Sequence, residues 1–340
     1  MFIIAEAGVN HNGSIKIAKK LIDAAADAGA DAVKFQTFQV DKVVTVVANK
    51  AEYQIKNTGI NESQYEMLKR LELSLDDHKS LISYCVDKSI IFISTPFDEE
   101  SVDMLNDLDM GIFKIPSGEI TNKPLIKYIA SKRKPTILST GMSYLEEVEK
   151  AIGWIDQVWS EQKVKPELTL LHCVSSYPAP IEDTNLLAMQ TMGKAFGLPV
   201  GYSDHTMGIE APIAAVAMGA KVIEKHITLD RNMEGPDHKA SLEPSEFRSM
   251  VQSIRNIEKA LGDGIKKPAK SEEDVRQVAR RSLVATRDIK AGESITSSDI
   301  IVKRPADGIP PEFREIIVNM KPKRDISADS TIRWEDFELA

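Results

Sequence analysis

The stretch "PVGYSDHTMGIEAPIAAVAMGAKVIEKHITL", Pro199–Leu229, holds two short β-rich runs around one longer apolar segment. The middle part, Gly208–Ala220, is apolar at helical spacing and closes on Gly219 just before the next run, the C-terminal signature of a helix. The flanking runs are apolar almost throughout, which suits parallel strands covered on both faces, because a parallel pair needs a crossover helix between its members. Both runs end in polar residues, "SDH" and "EKH".

The same alternation extends outward over most of the chain. Further runs lie at Phe2–Asn10, Ala32–Phe38, Ile90–Phe97, Ile112–Glu119, Pro135–Met142 and Leu168–Pro178, with amphipathic segments between them. Eight such units predict an α/β protein, a (β/α)8 TIM barrel over residues 1–265. The connection between the second and third runs is long. Its polar stretch "VTVVANKAEYQIKNTGINES" (44–63) reads as a lid or binding loop. After the eighth run, a charged linker (266–282) leads to short alternating segments with Gly, Asp and Pro turns, a small β-rich domain over 283–340.

Composition excludes several classes. With 42% hydrophobic and 28% charged residues, a net charge of −8 and no dense basic patch, the 340-residue chain is not expected to bind nucleic acid. No apolar run approaches the roughly 20 residues of a membrane span. The start, "MFIIAEAGVNHNG", lacks a basic lead-in and a cleavage site, so it reads as a first strand, and a cytoplasmic location is the default. Cys85 and Cys173 do not make a disulfide scaffold and are expected as buried, reduced thiols.

In such barrels the C-terminal strand ends face the active site. There the sequence supplies Glu6, Asn10 and His11; Lys34 and Gln36; Thr95; Lys114, Ser117 and Glu119; Ser139 and Thr140; Ser175 and Tyr177; Ser203, Asp204 and His205; Glu224, Lys225 and His226. Two lysines beside several hydroxyls suit a small, highly anionic substrate, since charges in a barrel mouth are costly unless compensated. The plainer alternative is an ion pair of Lys34 or Lys114 with Glu6 or Glu119. His205 and His226 end neighbouring strands and suit a divalent metal better than a structural zinc; alternatively both are hydrogen-bonded core imidazoles. His11 is expected to organise its loop, His78 to lie on the surface and His172 to pack. Glu6 and Glu119 are candidates for acid–base work, and spacing does not choose between them. No phosphate loop or dinucleotide fingerprint follows any strand.

The motifs "AEAGVNHNG", "KFQTF", "STPFD", "KIPSGE", "LSTGM", "GYSDHT", "EKHITLDRNMEGPDH" and "VKRP", in this order along the whole chain, resemble the sialic acid synthase family. Its members condense phosphoenolpyruvate with an N-acylated hexosamine, and their small C-terminal module is the antifreeze-like (SAF) domain. The resemblance implies a divalent ion on His205 and His226, Mn²⁺ first, with Mg²⁺ or Co²⁺ as alternatives. It implies a phosphoenolpyruvate pocket of Lys34, Thr95, Lys114, Ser117, Ser139, Ser175 and Ser203, where Ser175 occupies a position that is often Asn or Thr in the family. Gln36, Tyr177 and Asp237 would hold the sugar, joined by Arg304 of a neighbouring subunit in a domain-swapped homodimer. The expected reaction uses N-acetylmannosamine and gives N-acetylneuraminate; the alternative uses 2,4-diacetamido-2,4,6-trideoxymannose and gives N,N'-diacetyllegionaminate. A reading from another class, a binding protein built on an inactive barrel, would leave the convergent lysines and histidines without a purpose.

Overall fold

A computed structural model describes residues 1–58 and 62–338. The eight strands are β1 (Phe2–Gly8), β2 (Ala32–Thr37), β3 (Ile91–Pro96), β4 (Phe113–Ile115), β5 (Thr136–Ser139), β6 (Leu168–Cys173), β7 (Val200–Asp204) and β8 (Val222–His226). They form one sheet in the order β3-β2-β1-β8-β7-β6-β5-β4, every ladder parallel. β3 and β4 lie against one another at the remaining seam, so the sheet curls round as the alternation predicts.

Local chemistry fixes the helices. Ile15–Ala28 begins where the Ser14 hydroxyl accepts the Ile17 amide, buries Ala18, Leu21, Ile22 and Ala25, and stops at Gly29 with φ of 84°. Pro244–Leu261 starts with proline in its first turn and buries Phe247, Met250, Val251 and Ile254. Inside the barrel, period-two alternation puts Ile4 one inward step below Glu6, Ala32 below Lys34, Ile93 below Thr95 and Ile137 below Ser139, all buried. A dry floor therefore underlies the polar mouth.

The strands are shorter than their apolar runs. β4 ends at Ile115, because Pro116 has no amide for the ladder, and Ser117–Glu119 forms a 3₁₀ turn. His78, expected on the surface, is fully buried. Its Nε2 lies 2.7 Å from Thr37 Oγ1 and its Nδ1 2.8 Å from the Ser74 carbonyl, so it pins the start of the helix Leu75–Asp87 to β2. His172 packs on Tyr202, and His11 Nδ1 accepts the Gly13 amide within its own loop. Cys85 and Cys173 are unbridged and buried; burial pushes the Cys85 thiol up to about 12 and raises Cys173. Among the described residues no helix is long and apolar enough to cross a membrane.

The chain divides into two compact units, Met1–Gly262 and Asp263–Ala340. The second has its own core of Leu283, Ile289, Ile300, Ile309, Ile332 and Phe337 around antiparallel β9 (Ser282–Ala285) and β10 (Ile300–Lys303). Just before β10, the Asp299 carboxylate accepts the Thr296 amide and hydroxyl and Arg287 Nε. These bonds, those from Thr296 foremost, hold it at about 2. A depressed carboxyl stabilises the fold above its ordinary value near 4 and loses that effect as pH falls through its folded value. The melting-temperature gap between parent and Asp299→Asn should therefore be widest above about pH 4 and close toward pH 2. A gap independent of pH would show that this charge does not contribute.

Candidate active site

The mouth of the barrel opens into a cavity of about 510 Å³, a size that suits a small ligand. Alternation along each strand aims Glu6, Lys34, Gln36, Thr95, Lys114, Ser139, Ser203, Glu224 and His226 at it. Loop residues Ser117, Ser175, Tyr177 and His205 complete the wall. Twelve of the fifteen residues assigned from sequence therefore meet in one cavity.

Four buried charges form its centre. Lys34 Nζ lies 2.7 Å from Glu6 Oε2 and 3.7 Å from Glu224 Oε2, and it donates to Thr95 Oγ1 at 2.9 Å. Lys114 Nζ reaches across the barrel to both Glu224 oxygens at 2.9 and 3.0 Å, and Ser203 Oγ donates to the same carboxylate at 3.0 Å. Both lysines are thus ion-paired, but Lys114 pairs with Glu224 rather than with Glu119. Burial alone would raise both carboxyls. In Glu224 the two ammoniums and Ser203 overcome it and hold the group near 2, whereas in Glu6 burial and the Glu224 charge win over Lys34 and push it to about 7. Burial lowers Lys114, while the two carboxylates keep Lys34 raised.

A second corner is lined by hydroxyls. Ser117 Oγ accepts the Gly141 amide at 2.9 Å and lies 3.0 Å from Cys173 Sγ. A Cβ on Gly141 would come within 2.4 Å of Ser175 Oγ and 2.9 Å of Ser117 Oγ, so only glycine lets these groups converge. Ser139 Oγ is buried with no hydrogen-bond partner among the described residues, which leaves it available to a ligand.

The ring centroids of His205 and His226 are 5.4 Å apart, with that of Tyr177 4.1 Å from His205. His205 Nδ1 lies 2.6 Å from the Val174 carbonyl, which fixes the proton there and leaves Nε2 as a lone pair. His226 Nδ1 is buried and has no hydrogen-bond partner among the described residues. Burial keeps both imidazoles neutral, lowering His205 to about 4 and His226 well below its ordinary value, the form a metal requires. Among the described residues no group of three or more His, Cys, Asp or Glu is placed to hold a metal ion; the neutral His205–His226 pair, with a buried ring nitrogen of His226 left unbonded there, suits a divalent ion as two of its ligands.

Three assigned residues do not line the cavity. Glu119 is half-buried in its 3₁₀ turn and accepts Asn122 Nδ2 at 2.6 Å. Asp237 is buried beside a neighbouring turn, and burial raises its carboxyl to about 6. Arg304 is exposed, just after β10 in the second unit. Conversely, the cavity gains Ala51, Gln54 and Gln64 from the long β2–β3 connection; of that connection, Gly59–Asn61 lie outside the described residues. Glu224 was visible as a strand-end charge, but its role as shared counter-ion was not.

Comparison with known proteins follows the same lines. The chain is 52% identical to N,N'-diacetyllegionaminic acid synthase of Campylobacter jejuni over 97% of its length and 98% of that protein. It is 50% identical to the Legionella pneumophila protein of the same name, covering 99% and 94%. Among solved structures, N-acetylneuraminic acid synthetase of Leptospira borgpetersenii superimposes with a TM-score of 0.70 at 38% identity, over 81% of this chain and 89% of that one. Residues 21–266 match the NeuB family and residues 280–338 the SAF domain, and the chain therefore belongs to the NeuB family and carries a C-terminal SAF domain.

Proposed function

We propose that this chain condenses phosphoenolpyruvate with open-chain 2,4-diacetamido-2,4,6-trideoxymannose, releasing phosphate and forming N,N'-diacetyllegionaminate. The observation that carries the reaction class is the pair of buried ammoniums, Lys34 and Lys114, beside the hydroxyls of Thr95, Ser117, Ser139, Ser175 and Ser203 in one cavity. The choice of sugar departs from the N-acetylneuraminate first expected. Legionaminic acid synthases at 52% and 50% identity, against a neuraminic acid synthetase at 38%, favour the alternative. Ala51 and Gln54, from the stretch read as a lid or binding loop, line the same cavity.

In this reading Lys34 and Lys114, with Ser117, Ser139, Ser175, Ser203 and Thr95, hold the phosphate and carboxylate of phosphoenolpyruvate, and Gln36 and Tyr177 orient the sugar. A divalent ion held by His205 and His226, with Mn²⁺ the first choice and Mg²⁺ or Co²⁺ the alternatives, would supply Lewis-acid polarisation of the sugar aldehyde. C3 of phosphoenolpyruvate bonds to that aldehyde carbon, whose oxygen gains a proton. Positive character at C2 is then met by water, which gives up a proton to Glu6 rather than to Glu119, because only Glu6 faces the cavity. The new C2 hydroxyl then loses its proton as the bond between C2 and the phosphate oxygen breaks, leaving a ketone and inorganic phosphate; of the water's two protons one ends on the former aldehyde oxygen and the other on the phosphate. Asp237 and Arg304 are assigned to the sugar, the latter from a partner subunit in a domain-swapped homodimer. Full activity in a species that sediments as a monomer would remove that part.

The test is phosphate release from phosphoenolpyruvate with Mn²⁺, offering both sugars in parallel, with an EDTA control. We expect kcat/KM for the diacetamido sugar to exceed that for N-acetylmannosamine by about tenfold or more, as a pocket built around an extra polar group requires. The reverse preference would return the product to N-acetylneuraminate. Silence with both would overturn the reading.

A further inference from the structure

Lys225 lies between Glu224 and His226 on β8, and strand alternation turns it away from the cavity that those two line. Asp204 is likewise turned away between Ser203 and His205. Behind the wall the two meet as a fully buried ion pair: Lys225 Nζ lies 2.5 Å from Asp204 Oδ2, with both side chains 0% exposed. The same ammonium donates to the Thr206 carbonyl, and Asp204 Oδ1 accepts the Thr206 amide at 3.0 Å. Asp204 and Thr206 are the two chain neighbours of His205. One ammonium, on the chain neighbour of His226, therefore grips both sides of His205.

A buried ion pair is weak support for stability, since apolar residues of similar volume commonly do as well; its better-attested use is to fix one arrangement against others. Neither Lys225 nor Asp204 lines the cavity, so neither meets substrate there. Groups that hold metal-bound histidines in place commonly control metal affinity. We propose that Lys225, clamped to Asp204 and Thr206, is a positioning residue that fixes His205 against His226 and thereby sets the affinity of the pair for a divalent ion. This rests on the reading of those two histidines as metal ligands.

The experiment measures Mn²⁺ binding to the full chain without substrate, from the paramagnetic resonance signal of free Mn²⁺, together with melting temperature in EDTA. The proteins are the parent, Lys225→Met, Lys225→Met/Asp204→Asn and His205→Ala. The double variant leaves no unpaired buried charge and keeps the test if the single variant does not fold. Mn²⁺ affinity should fall about 10- to 100-fold in the double variant even where its melting temperature stays near the parent's, a split that a merely structural role would not produce. Parent-like affinity in the folded double variant, with affinity lost in His205→Ala, would overturn the proposal and leave the metal site intact. Parent-like affinity in His205→Ala would overturn the metal reading and this inference with it.

Discussion

Replacing Glu6 by glutamine is expected to lower kcat for phosphate release about a thousandfold, the middle of the range for loss of a general base. Glutamine keeps the shape and accepts one hydrogen bond but cannot take a proton. Glu6 suits the role because it sits at the end of β1, 2% exposed, and burial and the nearby Glu224 charge hold its carboxyl near 7. Such a group is a far better proton acceptor than an ordinary carboxylate. The KM for phosphoenolpyruvate separates this role from binding. Glu6 balances Lys34, so removing its charge leaves Lys34 more available to an anion, and KM should stay level or fall. A rise in KM with kcat unchanged would recast Glu6 as a binding group. If Glu119→Gln produces the loss instead, the base is Glu119, and the 3₁₀ turn that holds it must move when substrate binds.

What the sequence reveals of this site follows the reach of a single strand. Period-two alternation identifies Lys34 with Gln36, and Glu224 with His226, as facing one side, and the run of eight β–α units puts those sides in one mouth. That reasoning needs no distant pairing. It weakens where the chain leaves the ladder, since Glu119 lies beyond the Pro116 break and Asp237 within a turn after β8, so their directions depend on loop geometry. It also fails for charge partners. Lys114 and Glu224 are 110 residues apart on opposite sides of the barrel, and only closure of the sheet decides that Glu224, not Glu119, faces the lysine. His78 misled because a histidine among "SLDDHKS" reads as a polar helix start, whereas the bond to Thr37 depends on which strand the helix covers.

Glu224→Gln carries the largest expected effect on stability, and it tests the charge balance directly. Among the described residues Glu224 is the carboxylate that pairs with both lysines, and its loss leaves Lys114, 2% exposed, without its ion-pair partner. Removing one partner of a buried pair typically costs about 3–5 kcal/mol, because the remaining charge stays desolvated. For a unit of this size that lowers the melting temperature by on the order of 10 °C. Burial already lowers Lys114, so shedding its proton would soften the loss. If this cavity is built for phosphoenolpyruvate, the ligand's own anionic groups can replace the missing carboxylate. Saturating phosphoenolpyruvate should then raise the melting temperature of Glu224→Gln by more than it raises that of the parent, since a ligand that binds only the folded state stabilises it by mass action. Equal increments in the two proteins would mean that the ligand does not meet Lys114, and an unshifted melting temperature without ligand would mean that the Glu224 charge is not needed to keep two ammoniums in the barrel.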